Sequence, residues 1–244
     1  MRISKQEAKE RLCLALDVST LSEAEGIVAE VKDFVGVFKV GMELFSAEGP
    51  RVVRRIRDLG GQVFLDLKYH DIPNTVAQAG RVATRLGVAF FNVHASGGKQ
   101  MMEATMLAVK DEAKRTQVEA PKVLAVTVLT SLSAAMLREE MGVGRELEEQ
   151  VVAMATLAKD SGLDGVVASP KEISSIRQTC GRDFIIVTPG IRPAGAEKQD
   201  QQRVTTPREA IERGADYIVV GRPIHAASDR VAACRGILAE MAGE

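Results

Sequence analysis

Asp66, Lys68 and Asp71 stand within six positions of one another in residues 64–75, Phe-Leu-Asp-Leu-Lys-Tyr-His-Asp-Ile-Pro-Asn-Thr, after an apolar run and before a helix-forming stretch. In a strand, residues two apart point to the same face, so Asp66 and Lys68 are expected side by side with Leu67 behind them. Two ionisable groups on the inner side of a buried strand are costly, because a buried charge must be paired or shift its pKa until it is neutral. The arrangement points to a site whose electrostatics outweigh the loss of stability. A structural Asp-Lys ion pair at a strand end fits the segment, taken alone, equally well.

Further candidates lie at the ends of other apolar runs. Asp17 and Lys39 follow apolar residues as Asp66 and Lys68 do, and Asn92, His94, Thr127, Thr130 and Ser131 end two more runs. Gly190, after Pro189, and Gly221 allow a backbone to approach a ligand closely. Arg222 follows Gly221 with a fork of donors suited to phosphate. Arg192 and Gln201 lie in the polar stretch 192–206, long enough to be an active-site lid that closes over the same group or else a disordered surface excursion. His94, a lone histidine at a strand end, is read as a structural residue and stays outside the catalytic set.

The elements that must position these residues are legible as a pattern. Eight short apolar runs, at 12–18, 37–41, 63–68, 90–94, 123–130, 165–169, 184–188 and 217–221, alternate with stretches whose apolar residues recur every three or four positions. Strands apolar nearly throughout call for a parallel sheet covered by helices. Eight such repeats in 244 residues match a single-domain α/β (β/α)8 TIM barrel over residues 1–244, whose chemistry collects at the C-terminal ends of the strands. An open doubly wound sheet is the alternative, weakened because no glycine-rich dinucleotide fingerprint follows the first run.

Composition narrows the function classes. With 45% hydrophobic residues and a formal net charge of -1, nothing draws the chain globally to nucleic acid or to a membrane surface. Residues 1–10 lack the apolar centre of a signal peptide, and no stretch approaches a membrane span. Three cysteines, Cys13, Cys180 and Cys234, without CxxC spacing fit a reducing cytoplasm. A cytoplasmic protein without nucleic-acid or membrane partners is the expectation.

Residues 66–75, Asp-Leu-Lys-Tyr-His-Asp-Ile-Pro-Asn-Thr, resemble the signature of the orotidine 5'-phosphate decarboxylase family, bacterial type. The resemblance runs across essentially the whole chain, through Leu14-Ala15-Leu16-Asp17, Phe38-Lys39-Val40-Gly41, residues 126–131, residues 187–192 and residues 219–224, in order. It implies decarboxylation of orotidine 5'-monophosphate to uridine monophosphate in pyrimidine nucleotide synthesis, without metal or organic cofactor. It also implies a homodimer in which Asp71 and Thr75 serve the neighbouring subunit's site. Lys39, Asp66, Lys68 and the neighbour's Asp71 would then form an alternating charged array, with Lys68 delivering a proton to C6 of the pyrimidine. Asp17 and Lys39 would hold ribose hydroxyls, Thr130 or Ser131 would lie near the pyrimidine, Gln201 and Arg222 would grip the phosphate, and Arg192 would belong to the closing loop. Pro189 and Gly221 complete the expected substrate-binding set. Two competitors share parts of this pattern: a magnesium-dependent sugar-phosphate aldolase or decarboxylase on the same barrel, and a non-catalytic phosphate-ligand binding protein.

Overall fold

A computed structural model describes residues 3–193 and 205–244. In chain order the elements are α1 (Lys5–Arg11), β1 (Leu12–Ala15), α2 (Leu21–Val31), β2 (Val37–Gly41), α3 (Met42–Glu48), α4 (Pro50–Asp58), β3 (Gln62–Tyr69), α5 (Pro73–Leu86) and β4 (Phe90–His94). After a 3-10 turn come α6 (Gly98–Thr116), β5 (Lys122–Val126), α7 (Ala134–Glu139), α8 (Leu147–Asp160), β6 (Gly165–Val167) and α9 (Ile173–Cys180). The chain continues through β7 (Ile185–Thr188), α10 (Pro207–Arg213), β8 (Tyr217–Val220), α11 (Arg222–His225) and α12 (Arg230–Ala242).

The eight strands form a closed barrel in sequence order, all neighbours parallel, and β1 closes on β8 through Leu12↔Ile218, Cys13↔Val219 and Leu14↔Val220. Alternation splits each strand between two cores. Cys13 and Ala15, Val37, Phe64, Phe90, Leu124, Val187 and Val219 fill the barrel interior, while Leu12, Leu14, Phe38, Val40 and Leu65 pack outward against the helices. Phe90 meets Phe64 and Tyr217 edge-on, at 6.1 and 4.9 Å between centroids, which plugs the floor of the barrel.

The helices begin where local chemistry favours it. In α2 the Thr20 hydroxyl accepts from the Glu23 backbone N–H, and Leu21, Ala24, Ile27, Val28 and Val31 form the buried stripe. Pro73 opens α5 in the first turn, where its missing N–H and fixed φ cost nothing. Helices α5 and α6 are held together by Glu112, 2% exposed in its side chain, which takes Arg85 at 2.8 Å, Arg115 at 2.6 Å and Arg81 at 3.4 Å. No helix among the described residues is long and apolar enough to cross a membrane.

Several apolar runs outlast their ladders. The run 123–130 contains a strand only to Val126, 12–18 only to Ala15, 165–169 only to Val167, and 217–221 only to Val220. Apolarity continues because Val18 and Val128 bury themselves beneath the barrel rim after pairing has stopped. Asp17 consequently sits two residues beyond β1, on the rim and not in the sheet.

Candidate active site

Inward positions near the C-terminal ends of the strands carry charge where the floor carries hydrocarbon. The inward series Cys13, Ala15 continues to Asp17; Val37 is followed by Lys39; Phe64 is followed by Asp66. Registers Ala15↔Lys39 and Gly41↔Asp66 place these groups side by side. Lys39 Nζ lies 3.2 Å from Asp17 Oδ1 and 3.5 Å from Asp66 Oδ2, and Lys68 Nζ lies 2.7 Å from Asp66 Oδ1. Side chains of Lys39 and Asp66 are 12% and 13% exposed, whereas that of Asp17 is 54% exposed.

Burial alone would make both inner groups neutral, and mutual pairing overrides it. Desolvation pulls the Lys39 pKa down, but the carboxylates of Asp66 and then Asp17 hold it above its ordinary value. Desolvation likewise pushes Asp66 up, and Lys39 and Lys68 hold it below the usual carboxylate range. Both shifts keep the pair charged across the neutral range. The ion-pair reading of Asp66 and Lys68 is therefore correct in geometry but incomplete, because the pair belongs to a chain of four charges.

Lys68 reaches its place by a route that simple alternation does not describe. Strands β3 and β4 pair as Phe64↔Phe90 and Leu65↔Phe91 and then resume at Tyr69↔Val93, so β3 carries extra residues between two pairings. Lys68 sits in that bulge with φ 52°, a left-handed conformation rare for a side chain of its size. Asn92, fully buried on β4, accepts from the Lys68 backbone N–H at 2.8 Å and donates to Asp66 Oδ1 at 2.7 Å. The sequence offered Asn92 as a polar candidate at the end of an apolar run, and no role follows from that position alone.

The charges open on a cavity of about 180 Å³ lined by Lys39, Asp66, Lys68, Thr130, Pro189 and apolar side chains including Phe64 and Val219. Thr130 lines it; Ser131 is exposed and does not. A larger groove of about 510 Å³ adjoins it through Val128 and Leu129 and is lined by His70, His94, Leu137, Met141 and Met154, among others. It is bigger but lacks the array, so the smaller cavity is the better site for charge chemistry. His94 stacks on His70 at 5.4 Å between centroids, and burial, then His70 and Lys68, lower its pKa.

Across the β8–β1 seam lies the expected phosphate end. Gly190 has φ 79°, which favours glycine, and a Cβ on Gly221 would stand 3.4 Å from Asp17 Oδ2. Arg222, half-buried, opens α11. At the base of the expected lid, Ile191 bridges to Thr205; the Arg192 N–H donates to the Thr205 carbonyl at 3.1 Å, and its guanidinium to the Ile191 carbonyl at 3.1 Å. Gln201 and most of the 192–206 stretch lie outside the described residues.

One chain brings Asp17, Lys39, Asp66 and Lys68 together but not Asp71 or Thr75. Both are exposed; Asp71 Oδ1 accepts from the Ile72 N–H at 2.6 Å, and Ile72 beside it is 67% exposed. Among the described residues no group of three or more His, Cys, Asp or Glu side chains could hold a metal ion.

Comparison with known proteins identifies the family. The profile described as the orotidine 5'-phosphate decarboxylase / HUMPS family matches residues 10–237. An orotidine 5'-phosphate decarboxylase of Moorella thermoacetica is 54% identical over 237 residues, 97% of this chain and 94% of the relative. Another, of Syntrophotalea carbinolica, is 56% identical over 236 residues, 97% of this chain and 96% of the relative. The crystal structure of the enzyme of that name from Lactobacillus acidophilus superposes with a TM-score of 0.84 at 41% identity, covering 94% of this chain and 98% of that one.

Proposed function

The chain belongs to the orotidine 5'-phosphate decarboxylase / HUMPS family, and on that premise we propose that it converts orotidine 5'-monophosphate to uridine monophosphate and carbon dioxide at the barrel mouth. The observation that carries the reading is the charge-paired Asp17, Lys39, Asp66 and Lys68 chain opening on the cavity. A substrate carboxylate entering beside Asp66 adds negative charge to a set that already sums to zero. At about 4 Å and an effective dielectric near 20, two like charges repel by roughly 4 kcal/mol, and loss of carbon dioxide relieves that repulsion. The carbanion left at C6 faces Lys68, which protonates it.

General acid catalysis contributes about 10²- to 10⁴-fold, too little for an unactivated carbanion, so preorganised charge carries the larger share. Asp17 and Lys39 hold the ribose hydroxyls, and Thr130 and Pro189 flank the base, with Ser131 beside them on the rim. Gly221, Arg222, Arg192 and Gln201 take the phosphate, whose binding energy holds the reacting end against the array.

The active unit in this reading is a homodimer, with Asp71 and Thr75 of each subunit completing the neighbour's site. Its support is placement: Asp71 and Thr75 are exposed just beyond the C-terminal end of β3, where the array of their own chain also opens. The deciding experiment follows the absorbance of orotidine 5'-monophosphate with the purified protein, with and without a chelator. Turnover that survives chelation is expected. No turnover removes the enzyme assignment, and turnover abolished by chelation and restored by magnesium would transfer the chain to the metal-dependent reading.

A further inference from the structure

Asn92 stands in a position where an apolar side chain would satisfy packing. It is fully buried between Phe91 and Val93, and its neighbours on β4 and β5 are apolar. A buried amide is tolerated only when its polar atoms are paired, and each end of this one meets a group of the charged array. Its carbonyl accepts from the Lys68 N–H, a donor the ladder cannot use because pairing slips between Leu65 and Tyr69. Its amide nitrogen donates to Asp66 Oδ1, the same oxygen that takes the Lys68 ammonium at 2.7 Å.

We propose that Asn92 is a positioning residue for the decarboxylation, a side chain that replaces the missing β3–β4 ladder bond and thereby fixes Lys68 and Asp66 relative to each other. This inference rests on the decarboxylase reading. Only an amide meets both demands. A carboxylate here would accept from Lys68 but face Asp66 with a second negative charge; a serine hydroxyl is too short to span both; an alanine would leave the Lys68 N–H unpaired and the φ 52° backbone without its anchor.

The test compares Asn92→Ala and the isosteric Asn92→Asp with wild type, reading kcat and KM for orotidine 5'-monophosphate and Kd for uridine monophosphate between pH 5 and 8. Asn92→Ala should lower kcat by about 100-fold or more while Kd for the product nucleotide changes by less than about threefold, the split expected of a reaction-specific positioning effect. Asn92→Asp should be similarly impaired at pH 8 and recover relative to wild type as pH falls. Burial beside Asp66 raises the new carboxyl's pKa, and once protonated it again donates to Asp66. If Asn92→Ala does not fold, that pH recovery decides. Variants with kcat near wild type, or an Asp variant whose deficit is independent of pH, would overturn the role of Asn92 while leaving the decarboxylase reading intact. A wild-type protein that binds uridine monophosphate but never decarboxylates would overturn both.

Discussion

Two clusters in this molecule are made of the same materials and used oppositely. On the flank, Glu112 locks α5 to α6 by taking Arg81, Arg85 and Arg115 onto one buried carboxylate. At the mouth, Lys39 lies between Asp17 and Asp66, and Lys68 completes the chain. The flank cluster joins two helices across their packing interface. The mouth cluster borders a cavity, held from below by Asn92, and its ammonium groups form part of the cavity lining. The lesson is that buried charge signals function by what it faces. Ion pairing alone, which both clusters have, does not separate a clamp from a catalytic array.

The largest effect should come from Lys68→Ala. Turnover is expected to fall by at least about 10⁴-fold, because both a proton donor and a preorganised charge are lost, while the Tm stays within a few degrees of wild type. Substantial residual decarboxylation would move Lys68 out of the donor role and make the mouth another clamp.

Mixing Lys68→Ala with Asp71→Ala subunits tests whether the mouth, unlike the flank, is built from two chains. Each heterodimer regenerates one site carrying neither change, so statistical mixing should restore about a quarter of wild-type activity. A dead mixture in which heterodimers are demonstrated would confine the site to one chain.

Arg222→Ala should weaken uridine monophosphate by about 10- to 100-fold, the range for a charge-assisted contact, and leave uridine nearly unaffected. Equal losses for nucleotide and nucleoside would contradict the phosphate assignment.

The smallest effect on chemistry belongs to the flank. Glu112→Gln should lower the Tm by a few degrees at neutral pH with kcat retained. Hydrogen bonds from Arg115 and Arg85 hold the Glu112 pKa down to about 2, so its contribution is present above the ordinary glutamate pKa and is lost as pH falls from there through about 2. The Tm gap between variant and wild type should therefore close in acid. A gap that persists at pH 2, or a variant with impaired kcat, would erase the contrast between the two clusters.

How much of this was legible from the chain divides along the range of the interactions. The eight apolar runs and the helical stripes between them depend on local periodicity, so Leu12, Leu14 and the Ile27, Val28, Val31 stripe declared the barrel without any knowledge of contacts. The mouth residues Asp17, Lys39, Asp66 and Lys68 were legible because a charge ending an apolar run is exceptional wherever it occurs. Where each ladder stops was not legible: Val18 and Val128 stay apolar beyond their strands because the rim buries them.

The sequence by itself determined the architecture and the identity of the charges, since strand alternation and helix periodicity are properties of a chain with its nearest neighbours. Only the tertiary structure decided that Lys68 enters the mouth through a bulge and that Asn92 supplies the bond the ladder omits. Those outcomes depend on how β3 meets β4 at sequence separations of 24 and 26 residues. Register between strands is set by packing around the closed barrel, which no local pattern records.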